Sequence, residues 1–291
     1  MSTSQSHPET VAGILVRICM SFIKVAIVLY IGALAGVYLC QRQLEYLPVS
    51  MPSGTPAENG VPEMSVVTVR TSDGLSLTSW FAPPKTRDGK VILFFHGQGI
   101  NIGFNADKAR LLMSRGYGVF LAEYRGFAGN PGAPTEDTLY NDAHDTLRWL
   151  EEKGFPPSRV ILYGESLGSG VAVEAATQFP VFALVLEAPY SSAVNIAKLR
   201  YPYFPVELLM KDRLDNLSKM QSVKSPVLII HGMLDGFIPI EFSRELFNSA
   251  NEPKTFLAVK GAGHPPDLYS HDAGNLVLKW LDAQVEGEKE K

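Results

Sequence analysis

The chain has 291 residues, 46% of them hydrophobic, with a formal net charge of −4 and two cysteines. It has no basic excess to attract nucleic acid, and no acidic tail or low hydrophobicity to suggest disorder. Cys19 and Cys40 both fall in an N-terminal apolar stretch. The remaining roughly 250 residues suit one large domain and carry neither a disulfide framework nor a cysteine-based metal site.

After an N-terminal tail at 1–17, the first predicted element is a transmembrane anchor at 18–40. It holds one charge, Lys24. As a helix rising 1.5 Å per residue it reaches about 34 Å, enough for a hydrocarbon core of about 30 Å. Lys24 lies under two turns from the N-terminal end, so its stem can snorkel to that surface. Both faces are apolar, against a helix half-buried on a soluble core. Gly32 and Gly36 form a small-xxx-small pair that could pack helices together, and Cys40 stands where acylation is conceivable. Ala33-Leu34-Ala35 resembles a signal-peptidase site. The apolar stretch runs on to Leu39 and Arg42 follows, so an uncleaved anchor is expected. Arg17 and Lys24 precede the centre and Arg42 follows it. The positive-inside rule then places the N-terminus in the cytoplasm and the rest of the chain on the exported side.

Residues 41–63 hold Pro48, Pro52, Gly54, Pro56, Gly60 and Pro62 and read as a linker. A domain is expected over 64–285, followed by a charged tail at 286–291. Strands at 66–69 and 75–81 flank Asp73-Gly74 and form a hairpin. Continuous apolar runs follow at 91–95, 118–122, 160–163, 183–186, 227–230 and 255–259, as strands buried on both faces require. Helical patterns fall between them at 135–152, 167–178, 241–249 and 271–285. Such alternation implies a mainly parallel twisted sheet with helices on both faces. Functional groups should then lie just after the strands, at their carboxyl ends.

Directly after the run at 160–163 comes Gly164-Glu165-Ser166-Leu167-Gly168, then a helix. This is G-x-S-x-G in a strand–turn–helix context, a nucleophile elbow that exposes the Ser166 hydroxyl on a sharp turn. The Leu167 N–H would face a developing oxyanion. A Gly/Ser turn that merely caps a helix is the bland reading of the same residues. A serine needs a base. Of six histidines, His7 precedes the anchor, His144 lies on a polar helix face and reads as surface, and His96 and His231 end strands and read as structural. His264, in Gly261-Ala262-Gly263-His264-Pro265-Pro266, follows the last strand on a Gly-rich loop and is the expected base, with His231 and His271 as alternatives. The base must be neutral to accept a proton, so activity should fall toward acid. Asp235 follows the strand at 227–230 and is the expected orienting acid. Asp267, three residues from His264, is the alternative. A second oxyanion donor should come from His96-Gly97-Gln98-Gly99-Ile100-Asn101, at the Gln98 N–H or alternatively that of Gly99. No His/Cys/carboxylate cluster has metal-ligand spacing, and no cofactor is expected.

Several of these motifs carry a family resemblance. Residues 95–103 around His96-Gly97-Gln98-Gly99, Tyr124-Arg125-Gly126-Phe127 with Pro134-Thr135-Glu136, Ala188-Pro189-Tyr190-Ser191-Ser192, His231-Gly232-x-x-Asp235 and Gly263-His264 resemble single-pass membrane α/β-hydrolases, relatives of the protein depalmitoylases. The likeness covers about residues 38–282, including Tyr46-Leu47-Pro48. Glu123 departs from it, standing where such proteins commonly have Asp. The resemblance implies an α/β-hydrolase fold, a small cap at about 189–224, and hydrolysis of acyl esters or thioesters, with membrane lipid met through 18–40. A peptidase or amidase on the same fold is the alternative, and a non-catalytic interaction protein a further one.

Overall fold

The computed structural model describes residues 10–265, 268 and 272–289. It divides into two units, Met1–Gln41 and Arg42–Lys291. Helix α1 (Val11–Tyr46) begins well before residue 18 and ends six residues beyond the expected anchor. Gln41, Arg42, Gln43, Leu44 and Glu45 are good helix formers and give no reason to stop. Leu47, at φ +46°, breaks the geometry, and Pro48 cannot supply the next N–H. By length and composition α1 can cross a membrane. Most of its apolar side chains between Val11 and Leu39 are exposed, which water does not favour.

The expected linker is therefore structured. Tyr46 is fully buried and donates its hydroxyl to Asp212 (3.1 Å), which also takes Arg42 Nε (2.8 Å). Val61 is buried too.

The second unit is an eight-stranded sheet: β1 (Ser65–Arg70), β2 (Ser76–Ala82), β3 (Val91–Phe95), β4 (Gly118–Ala122), β5 (Val160–Glu165), β6 (Ala183–Glu187), β7 (Val227–Gly232) and β8 (Lys254–Val259). The spatial order is β1-β2-β4-β3-β5-β6-β7-β8. The β1–β2 and β2–β4 pairs are antiparallel and the others parallel. Helices α2 (Ala106–Ser114), α3 (Glu136–Glu152) and α4 (Gly168–Gln178) follow β3, β4 and β5. Three short helices, α5 (Ala193–Arg200), α6 (Val206–Leu209) and α7 (Asn216–Met220), lie between β6 and β7. Helices α8 (Ile240–Ser249) and α9 (Ala273–Lys289) flank β8 in sequence. The predicted start of the last helix, at residue 271, lies outside the described residues.

Strand residues alternate between two cores, because successive side chains point to opposite faces. Leu93, Phe95, Leu162 and Ile229 pack with Leu139 and Leu147 of α3 and Val171 of α4. Ile92, Phe94, Ile161 and Ile230 pack with Leu112 of α2 and Val277 and Leu281 of α9. This is the two-faced α/β-hydrolase arrangement. After β3 the chain first places β4 on one side and then β5 on the other. A crevice opens at such a reversal, outside the carboxyl ends of β3 and β5.

Candidate active site

Both loops bordering that crevice carry sequence-predicted residues. Ser166 follows β5 at φ +49°, a left-handed conformation costly for a residue with a Cβ. Its N–H donates to the Glu187 carbonyl at 2.9 Å, and its carbonyl accepts from Ser169 Oγ at 2.6 Å. The turn is tight enough that a Cβ on Gly168 would lie 2.1 Å from the Phe95 carbonyl oxygen. Glycine at the end of G-x-S-x-G is thus what lets α4 start against β3.

His264 Nε2 stands 3.1 Å from Ser166 Oγ, and His264 Nδ1 stands 2.7 Å from Asp235 Oδ2. These three residues come from loops after three different strands, and the structure brings them into one hydrogen-bonded line. Asp235 Oδ1 accepts the Phe237 and Ile238 N–H groups at 2.7 and 2.9 Å, and His231 Nε2 lies 3.3 Å from Oδ2. Burial pushes the Asp235 carboxyl up, but the hydrogen bonds from His231 and His264, the His264 charge and the Ile238 N–H outweigh it. The carboxyl is held below its ordinary value. Phe237 packs against the imidazole in a tilted arrangement, ring centroids 5.1 Å apart and planes at 35°, and Gly232 admits the His264 loop, since a Cβ there would fall 2.2 Å from the Gly263 carbonyl oxygen.

Gln98 lies in the turn after β3. A Cβ on its neighbour Gly97 would lie 3.6 Å from Ser166 Cβ, so this loop runs beside the serine. Among the described residues, neither the Gln98 nor the Leu167 N–H is committed to a protein acceptor. Leu167 caps α4, whose positive end therefore faces the serine. Gly99, the alternative donor, is the next residue, at φ +70°.

His96 and His231 are fully buried. His231 is bonded to Ser243 Oγ (2.6 Å) and to the Ile238 carbonyl (3.0 Å), and His96 to Glu123 (3.0 Å). His144 is not the surface residue expected. It is half-buried with its ring against Phe179, and burial lowers its pKa. His7, His271 and Asp267 lie outside the described residues. Among those described, no group of three or more His, Cys, Asp or Glu is placed to hold a metal ion.

One feature of the site was not legible in sequence. Beneath the elbow, Lys108 of α2 pairs with Glu165 and, at 2.8 Å, with Glu187. Burial favours the neutral amine, but the two carboxylates hold the Lys108 pKa above its ordinary value, while burial pushes Glu187 up against the pull of Lys108. A cation at position 108 gives no local pattern; only the fold shows that it sits between two strand ends.

A serine, an imidazole and a carboxylate aligned beyond the ends of parallel strands define the α/β-hydrolase class of hydrolases. The family profile described as serine aminopeptidase, S33, matches residues 86–211. An uncharacterized protein of Mycobacterium tuberculosis is 35% identical over 255 residues, covering 86% of this chain and 90% of that protein. Human alpha/beta hydrolase domain-containing protein 17B is 32% identical over 199 residues, 67% of each chain. A solved esterase of Pyrococcus furiosus shares the fold, at a TM-score of 0.67 with 18% identity, covering 82% of this chain and 98% of that one. The chain belongs to the α/β-hydrolase-domain-containing family.

Proposed function

We propose that this protein is a membrane-anchored serine hydrolase that cleaves acyl esters or thioesters through an acyl-enzyme. The observation that carries the reading is the line Ser166 Oγ–His264 Nε2–Asp235 Oδ2, at 3.1 and 2.7 Å (the second from Nδ1). Ionised Asp235 accepts a hydrogen bond from the Nδ1–H of His264, which leaves the Nε2 lone pair facing the serine hydroxyl. Ser166 Oγ attacks the acyl carbonyl carbon as its proton passes to Nε2. The carbonyl oxygen becomes an oxyanion, held by the Gln98 and Leu167 N–H groups. The bond to the alcohol or thiol then breaks, the leaving group takes the Nε2 proton, and the acyl group remains on Ser166. Water, deprotonated by the same imidazole, releases the acid.

Residues 18–40 are the anchor, with the N-terminus cytoplasmic and the catalytic domain exported. They bring the site to membrane lipid, which favours a lipid-derived acyl group as substrate. The match to a profile described as serine aminopeptidase supports a second reading, cleavage of an amide. The same residues would serve it, with an amine as leaving group.

The first test is labelling of the full-length protein by an active-site-directed fluorophosphonate. Wild type should label, and Ser166→Ala should not, while its circular dichroism stays unchanged. Undiminished labelling of the variant would remove Ser166 as nucleophile. Among the substrates, esters and thioesters of graded chain length should turn over faster than aminoacyl amides; the reverse order would select the peptidase reading.

A further inference from the structure

The chain just after α1 does not lead away from the site. Leu47, in its left-handed conformation, lies against the loop after β3: a Cβ on Gly99 would sit 3.9 Å from both Leu47 Cβ and Cδ1. The Val49 carbonyl accepts from the Ala128 N–H at 2.7 Å. The Met51 carbonyl accepts from Asn101 Nδ2 at 3.0 Å, and Ser53 Oγ donates to Glu123 Oε2 at 2.8 Å. Asn59 Nδ2 pins the Ser53 carbonyl at 2.8 Å.

Glu123, just past the end of β4 and 4% exposed, gives these contacts their consequence. Its Oε2 also accepts the Ile102 N–H at 3.1 Å, and its Oε1 lies 3.0 Å from His96 Nε2. His96 and Ile102 are the two ends of the loop that contains Gln98. One buried carboxylate thus grips that loop at entry and exit, and Ser53 grips the carboxylate from outside. An aspartate, one methylene shorter, would fall short of these partners, which gives the departure at position 123 a physical sense.

We propose that residues 47–53 are a working part of the active site, a strap that positions the oxyanion loop, and that Ser53, acting through Glu123, is a positioning residue for the hydrolysis. The proposal rests on the reading of Ser166 as nucleophile. Oxyanion donors act on charge that exists only as the tetrahedral intermediate forms. A loosened loop therefore lowers kcat and leaves ground-state binding largely intact. A hydrogen bond with a structural role alone would lower thermal stability and leave kcat in place.

The test uses the full-length protein in detergent micelles, hydrolysing a p-nitrophenyl ester, with fluorophosphonate labelling in parallel. Ser53→Ala should lower kcat about tenfold, less than the roughly 10²–10³ lost with a whole oxyanion donor. KM should stay within about twofold and the thermal midpoint within about 3 °C. Ser53→Thr keeps the hydroxyl and should recover most of kcat. Glu123→Asp should lower kcat at least as far as Ser53→Ala. Unchanged kcat in Ser53→Ala, or a loss that tracks a lowered midpoint and is not recovered by threonine, overturns the strap while Ser166 labelling stands. Wild-type protein without Ser166-dependent labelling overturns the hydrolase reading, and the strap proposal falls with it.

Discussion

Asp235 shows how one residue's surroundings decide its charge. Desolvation alone would favour the neutral acid. Two backbone N–H groups and two imidazoles surround the carboxyl instead, and the balance falls on the ionised form. Its folded pKa lies below the ordinary aspartate value of 3.8. The stability it contributes is therefore present above that value and lost only as pH falls through the folded pKa. Through the neutral range Asp235 stays anionic and keeps the Nδ1 proton of His264 in place. Asp235→Asn should lower kcat by about 10⁴ with KM and fold nearly unchanged, because an amide no longer holds the working tautomer. Steady-state kinetics on the purified variant check this. Near-normal turnover would move the orienting role to another carboxylate, with Asp267 the first candidate.

Between elements, Arg125 joins the β1–β2 turn to α3. Its Nε donates to Asp142 Oδ2 at 2.7 Å, Nη2 bonds the other Asp142 oxygen, and Nη1 reaches Asp73 at 2.8 Å. The guanidinium fork suits this two-way pairing. Its hydrogen bonds and those of Thr71 pull the exposed Asp73 carboxyl down to about 2. Asp142 is buried, and burial raises its pKa against the pull of Arg125. Arg125→Met would leave that carboxyl buried with no cation. Its folded pKa would then rise further above the unfolded one, so stability would be kept at low pH and lost as pH rises through the folded value. Removing one partner of a buried pair costs about 3–5 kcal/mol. The thermal midpoint should therefore fall by about 10 °C at pH 8 and by distinctly less at pH 5. An equal fall at both pH values, in melts of the full-length protein, would mean that the Asp142 charge is not the cause.

For the whole molecule the open physical matter is the exposed apolar length of α1. A helix with this side-chain surface is stable in hydrocarbon and a liability in water. The protein should stay in the membrane fraction after an alkaline carbonate wash and should keep the residues before Ala35. Peptide mass mapping of the mature chain reads this directly, and an N-terminus at Gly36 would replace the anchor with a cleaved signal. Protease added to sealed cells should reach the catalytic domain and spare the N-terminal tail; the opposite pattern would reverse the orientation drawn from Arg17, Lys24 and Arg42.

Local patterns along the chain were enough for the strands and for α3, α4, α8 and most of α9, for the mainly parallel sheet, and for the placing of Ser166, Asp235 and His264 after three separate strands; α2 and the short helices α5, α6 and α7 were not among them. Each of these shows as periodicity or as a short run of neighbouring residues, such as Gly164-Glu165-Ser166-Leu167-Gly168 directly after an apolar strand, although the contact that requires Gly168, against the Phe95 carbonyl, appears only in the fold. The tertiary structure decided the rest. The burial of Tyr46 at the end of α1 was hidden because its partner, Asp212, lies far along the chain. The spatial order of β3 and β4 and the burial of Lys108 between Glu165 and Glu187 left no periodic trace. Most clearly, residues 47–53 carry the prolines that mark a spacer, yet Met51 meets Asn101 and Ser53 meets Glu123. Such contacts join side chains that are remote in sequence. No local pattern encodes them; they exist only once the sheet has fixed where each backbone runs.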